Sequence, residues 1–184
     1  MVRIGVAPIV ITLFLGLLLY FFHSQPITPD LQGFSRSPSA IATESYIVPP
    51  AGDTYRNNDF GFSLTLPQGF SAQSLPVQNG THVILLQDTA GKGIQISISP
   101  DPNNAHTLTI DDVRRDIPDM RVYDEQPVEI GDDYLGVAFR SDNEAFEGDS
   151  REVWFYFRGN LYQISTYAHL DSLLQTMFST WQFY

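Results

Sequence analysis

Apolar residues recur along this chain with two periods, and the change from one to the other marks out its elements. Phe60, Phe62, Leu64 and Leu66 alternate with small or polar residues until Pro67. That is the pattern of a half-buried strand that stops where the ladder loses a donor. Val83 to Leu86 forms a second apolar run, and Ile94, Ile96 and Ile98 alternate after Gly91 and Gly93. These segments are expected as neighbouring antiparallel strands, with 88–93 as a hairpin loop. Further strands are expected at 128–130, 134–140, 153–157 and 161–167, the last two joined by a tight turn at Arg158, Gly159 and Asn160.

The helical period appears twice in this half of the chain. Thr109 reads as an N-cap, Asp111 and Asp112 suit the positive start of a helix, and Ile110, Val113 and Ile117 share a face before Pro118. Near the end, Leu170, Leu173, Leu174, Met177, Phe178 and Trp181 repeat at helical spacing, with Ser172 and Gln175 at capping-box separation. The expected fold class is α+β, a mostly antiparallel sheet of about seven strands covered by two helices.

The N-terminal pattern is different. Residues 1–3 precede an uncharged apolar stretch, Ile4 to Phe22, whose 19 residues span roughly 28 Å as a helix, close to the hydrocarbon thickness of a bilayer. It is longer than the apolar core of a cleaved signal peptide and has no small-x-small pair directly behind it. A single transmembrane helix over 4–22 is therefore expected ahead of the domain, contacting lipid. Arg3 on one side, against Asp30 and the distant Arg36 on the other, favours a cytoplasmic N-terminus and an extracytoplasmic domain at the cell membrane. Residues 23–54 carry Pro26, Pro29, Pro38, Pro49, Pro50 and scattered serines without apolar periodicity, and read as a flexible linker. The globular domain is expected over 55–184.

Charge narrows the partners. From Asp53 onward there are 19 acidic and 8 basic residues, so the domain holds the whole net charge of −11. Such a surface lacks the clustered Lys and Arg that bind phosphate backbones, which argues against nucleic acid. The chain has no cysteine, which removes disulfides, thiolate metal sites and cysteine nucleophiles.

The segment YRNNDFGFSLTLPQGF, with Tyr55, Asn57, Phe60, Gly61, Phe62, Ser63, Leu64, Pro67, Gly69 and Phe70, resembles the opening strand of the PsbP-like α/β sandwich superfamily. The close at Leu161 to Phe183 is similar to that superfamily's last strand and helix. The resemblance spans 55–184 and implies a sandwich domain. In that superfamily one branch assists photosystem II and another binds a small GTPase, and many members are membrane-anchored or lipid-anchored bacterial envelope proteins. No branch-specific functional residue matches here, and the apolar N-terminal stretch departs from the soluble lumenal photosynthetic type.

Candidate chemistry is sparse. Asp142, Glu144, Glu147 and Asp149 cluster around Gly148 and offer the carboxylate oxygens that Ca²⁺ prefers. The EF-hand spacing fails, because with Gly148 at the turn position the first and third ligands would be Asn143 and Ala145. Asp132 with Asp133, and Asp111 with Asp112, read as turn and cap residues. Asp88 to Gly91 spells DTAG, but no phosphate-binding loop accompanies it and a hairpin turn accounts for it. Ser150 sits in only the first half of a GxSxG pattern. None of His23, His82, His106 and His169 is paired at zinc-ligand spacing. Asn79-Gly80-Thr81 is a glycosylation sequon.

Trp154, Phe155, Tyr156 and Phe157 mix two faces of one strand. Trp154, Tyr156 and Tyr162 are the candidate lining of a ligand or partner groove. The sequence thus points to a membrane-anchored, extracytoplasmic binding or accessory domain without catalytic activity, its partner another envelope or membrane protein. The alternatives are a Ca²⁺-dependent module using the 142–149 loop, and a hydrolase with an unrecognised site.

Overall fold

A computed structural model describes residues 46–101, 107–131 and 134–184. The expected transmembrane stretch 4–22, residues 23–45 of the expected linker with His23, and His106, Asp132 and Asp133 lie outside the described residues. No helix among the described residues is long and apolar enough to cross a membrane.

The chain forms strands β1 (Ala51–Asn57), β2 (Phe62–Pro67), β3 (Ser71–Gln78), β4 (Thr81–Gln87) and β5 (Gly93–Pro100), then helix α1 (Ile110–Asp116). Strands β6 (Val122–Ile130), β7 (Tyr134–Ser141), β8 (Ser150–Phe157) and β9 (Asn160–Tyr167) follow, then helix α2 (Asp171–Phe178) and a short β10 (Gln182–Phe183). Seven strands form one antiparallel sheet in the order β3-β4-β5-β9-β8-β7-β6, and β1-β2-β10 form a second.

A sheet of seven strands stands as expected, with a different membership. The segment at Phe60–Leu66 is not a neighbour of β4 and β5: it is β2, the centre of the small sheet, facing the large one. Its period of two places Phe62, Leu64 and Leu66 in the core beside Ile84, Leu86, Ile94, Ile96 and Ile98 of the large sheet. β3 takes the vacated edge.

Both faces of the large sheet are packed. The inner face, carrying Val153, Phe155, Phe157, Tyr162 and Ile164, meets the small sheet and Leu170, Leu173, Leu174 and Met177 of the α2 region. The outer face carries a second cluster in which Val113 and Ile117 pack with Val137, Phe139 and Trp154. Helix α1 is capped as its sequence predicts. Thr109 Oγ1 accepts a hydrogen bond from Asp112 N at 3.3 Å, and Asp112 Oδ2 accepts one from Thr109 N at 2.9 Å.

The cap expected for the last helix does not form. Helix α2 begins at Asp171 without a side-chain cap, because Ser172 Oγ donates to Tyr46 O (3.1 Å) and Gln175 Nε2 to Asp171 Oδ2 (2.7 Å). The same Ser172 bond shows that the expected linker boundary at 54 lies too late. Tyr46 and Val48 pack against the core and β1 starts at Ala51. Pro49 and Pro50 give this stretch the composition of a tether, and β1, polar as an edge strand, gives no apolar alternation.

Turns follow their chemistry. Asn79 and Gly80 (φ 52° and 80°) join β3 to β4, and Arg158 and Gly159 (φ 48° and 71°) join β8 to β9. Paired positive φ angles match the right-handed twist of a two-residue hairpin. The large sheet's edges are interrupted by Pro76 in β3, and by Pro127 and a bulge around Asp124 in β6, devices that discourage pairing with another chain.

Candidate functional site

The acidic loop separates its four carboxylates. Asp142 Oδ1 accepts from Arg121 N at 2.8 Å. Asn143 caps a single turn of 3-10 helix, Glu144–Phe146, by accepting from Ala145 N at 3.0 Å, and Glu147 follows in the left-handed region. Asp149 is engaged by Arg140, with Nη2 to Oδ2 at 2.5 Å, and by the Tyr123 hydroxyl at 3.0 Å. The hydrogen bond from Arg140 holds the Asp149 carboxyl below the ordinary aspartate value against a smaller cost of burial. Among the described residues no group of three or more His, Asp or Glu side chains could hold a metal ion. Ca²⁺ takes six to eight oxygens, whereas here one carboxylate is neutralised by a guanidinium and another is spent on a backbone amide. Addition of millimolar Ca²⁺ to the protein is therefore expected to leave its melting midpoint unchanged, since only a ligand of the native state raises it. A Ca²⁺-dependent upward shift would restore the loop as a cation site.

The three aromatic candidates do not meet. Trp154 and Tyr156 belong to the outer cluster beneath α1, whereas Tyr162 is fully buried on the inner face, stacked on Phe155 at 4.9 Å. Successive residues of β8 point to opposite faces, and Tyr162 pairs across the ladder with Phe155 rather than with either candidate. Burial raises the Tyr162 hydroxyl well above its ordinary value; that hydroxyl donates to Phe60 O at 3.3 Å.

Other sequence candidates have local roles. Asp88 Oδ1 accepts from Ala90 N (2.8 Å) and Lys92 N (2.9 Å), so the DTAG segment is a hydrogen-bonded hairpin turn. His82 meets the edge of the Phe60 ring and His169 lies beside Tyr167. Asp111 lies 3.6 Å from Arg114.

Two features were not read from the sequence. The first is an open cleft of about 780 Å³, with Tyr134, Phe157 and Trp181 in its wall, Phe183 between them, and Glu129 and Arg158 beside it. Its rings are in mutual contact: Phe183 stacks on Phe157 at 4.0 Å, and Tyr134 meets Phe157 at 4.9 Å and Phe183 at 4.7 Å. The Arg158 guanidinium lies 5.0 Å from the centre of the Phe157 ring. The cleft's serine and threonine hydroxyls donate to backbone carbonyls, Ser179 Oγ to Thr176 O and Thr180 Oγ1 to Met177 O. It is assembled from three distant segments, so no motif announces it.

The second is Glu152, only 3% exposed. It accepts hydrogen bonds from Ser150 Oγ (2.8 Å), from Asn143 Nδ2 (3.3 Å) and from Ser165 Oγ. Burial pushes its carboxyl up, and the hydrogen bonds from Ser165, Ser150 and Asn143 oppose that only in part. With Arg151 before it and the apolar run beginning only at Val153, Glu152 carries no local signal of its burial.

No protein-family model and no curated protein matches this sequence. Solved structures match it at low sequence identity. The solution structure of cyanobacterial PsbP (CyanoP) from Synechocystis sp. PCC 6803 matches with a TM-score of 0.52 at 17% identity, over 72% of this chain and 92% of that one. A crystal structure from Bacteroides thetaiotaomicron VPI-5482 has a TM-score of 0.43 at 11% identity, over 72% of this chain and 48% of that one. A Pseudomonas aeruginosa protein of unknown function has a TM-score of 0.33 at 14% identity, over 67% and 90%. The match to CyanoP spans nearly all of that protein and agrees with the resemblance carried by 55–70 and 161–183: the domain has a PsbP-like fold.

Proposed function

We propose that this chain is a membrane-tethered, extracytoplasmic accessory domain without catalytic activity, which binds another envelope protein through the cleft at Tyr134, Phe157 and Phe183. The observation that carries the reading is the cleft itself. Aromatic rings flanked by a guanidinium and a carboxylate are the composition of protein-binding surfaces, where large rigid side chains supply contact area and charges at the rim supply register. The serine and threonine hydroxyls there cap the end of α2, a structural duty rather than that of a nucleophile beside a base. The uncharged stretch 4–22 supports the tether, and Arg3 supports the orientation.

Photo-crosslinking in membranes tests the proposal. A photoreactive amino acid at Gln182, in the cleft, is expected to capture one recurrent membrane or envelope protein. The same probe at Val77, half-exposed on the edge strand β3, is expected to capture none. Equal capture at both positions, or none at Gln182, would refute the cleft as the binding surface. Release of the full chain from membranes by alkaline carbonate would refute the anchor.

A further inference from the structure

Glu152 belongs neither to the apolar core nor to the cleft. The register across the outer face puts Phe139, Glu152, Ser165 and Gln95 in one row, flanked by Val137, Trp154, Gln163 and Ser97 on one side and by Ser141, Ser150 and Tyr167 on the other. The only titratable group among these neighbours is the Tyr167 phenol. From above, the loop contributes the uncharged Asn143. The loop's Asp142 and Asp149 are held by Arg121 N and by Arg140, and its remaining acids are Glu144 and Glu147. Helix α1 presents Val113 and Ile117 to this face, while its Arg114 and Arg115 pair with Glu125 and Asp112. Among the described residues no Lys, Arg or His nitrogen forms an ion pair with Glu152. A buried carboxylate surrounded only by neutral donors is disfavoured against its protonated form.

Asn143 joins this acid to the loop. Its side chain touches Glu152 and caps the 3-10 turn, while its carbonyl accepts from Phe146 N (2.9 Å) and Gly148 N (3.0 Å). The loop is also tied down at its far end, where Asp149 O accepts from Ala168 N at 3.0 Å, and through Phe146 against the Tyr167 ring.

We propose that Glu152 is a proton-operated latch on the loop 142–149, closed beneath Asn143 as the neutral acid and opening when its proton is lost to solvent. Opening lets water reach the carboxylate and changes how Glu144 and Glu147 are presented on an already acidic surface. The direction follows from the carboxyl being pushed above the ordinary glutamate value of 4.5 by burial. Closure is then fully favoured below that value and weakens as pH rises through the folded-state value.

Amide hydrogen exchange on the full chain tests this, with protection corrected for intrinsic exchange rates. Protection of Phe146, Gly148 and Ala168 is expected to hold at low pH and then to fall by up to tenfold per pH unit, the limit for one proton. Amides of β9 should not follow. In Glu152→Gln, which keeps the volume and a neutral group, loop protection should stay high and independent of pH. The ¹³C carboxyl signal of Glu152 in the unmodified protein should titrate above pH 4.5 together with the loss of protection. A pH-independent loop in the unmodified protein, or the same slope in the variant, would overturn the proposal. So would a Glu152 signal already ionised at pH 4.5, or a Gln variant that loses protection or folding across the whole range, since either would show that the site needs a charge.

Discussion

Replacing Phe62 by alanine is expected to destabilise the domain by about 3–5 kcal/mol, the range for deleting a buried aromatic side chain. Phe62 is fully buried at the centre of the small sheet, between β1 and β10. Its ring stacks on Trp181 at 4.4 Å and meets the edges of Tyr162 at 6.1 Å and Tyr55 at 6.0 Å. One side chain therefore links the small sheet, the segment after α2 and the large sheet. Because domains of this size are stable by roughly 5–15 kcal/mol in all, the loss is a large fraction of the total. It would be measured as a lower urea midpoint at unchanged slope. Phe62→Leu, which leaves a smaller void, should lie well below the alanine value. A loss under about 1 kcal/mol for alanine would mean that the sheets are not held together through this ring, since mutations that small characterise exposed sites.

The second large effect comes from adding one methyl group. Gly93→Ala is expected to cost about 3 kcal/mol or more, at the upper end for overpacking. A Cβ at Gly93 would lie 2.0 Å from Leu86 O and 2.7 Å from Gln87 Cα. Those atoms belong to the β4 backbone that pairs with Gly93, so relief means breaking the hairpin ladder rather than turning a side chain. Gly91, two residues away, is the control: it has φ +79° and nothing within 4 Å of a built Cβ. Gly91→Ala should cost only the left-handed backbone strain of about 1–2 kcal/mol. Denaturation of the two variants side by side separates the causes. If Gly91→Ala were the more damaging, turn conformation and not strand approach would govern this hairpin.

How far the fold could be read in advance depended on burial. Ile94, Ile96 and Ile98 alternate because one face of β5 lies in the core, and Thr109 caps α1 through atoms three residues apart. Both are local signals, and both elements occur where expected. β1 and β3 carry no such pattern, because an edge strand half in solvent can be polar, as AGDTYRN and SAQSLPVQ are. β10, two residues long, was concealed in the helical spacing that runs on to Trp181. The candidate groove at Trp154, Tyr156 and Tyr162 failed for a definite reason: alternation along β8 and the pairing of Phe155 with Tyr162 put the third ring on the other face. The cleft and the Glu152 network could not be read at all, since Ser165 and Asn143 reach that carboxyl from 13 and 9 residues away.

What belongs to the sequence alone is therefore the set of elements with a buried face, their turns, the domain's acidity and the family resemblance. Each follows from short-range chemistry or from composition, which a chain possesses before it folds. Which sheet a strand joins is of another kind. β2 carries a strand pattern that would serve in either sheet, and contacts across great lengths of chain assign it to the small one. Thr180 Oγ1 accepts from Thr65 N over a separation of 115 residues, and Phe183 pairs with Phe62. Only closure of the core around Trp181 makes those contacts available. The same closure brings Phe183 against Phe157 to form the cleft, and the pairing of β8 with β9 seals Glu152 beside Ser165.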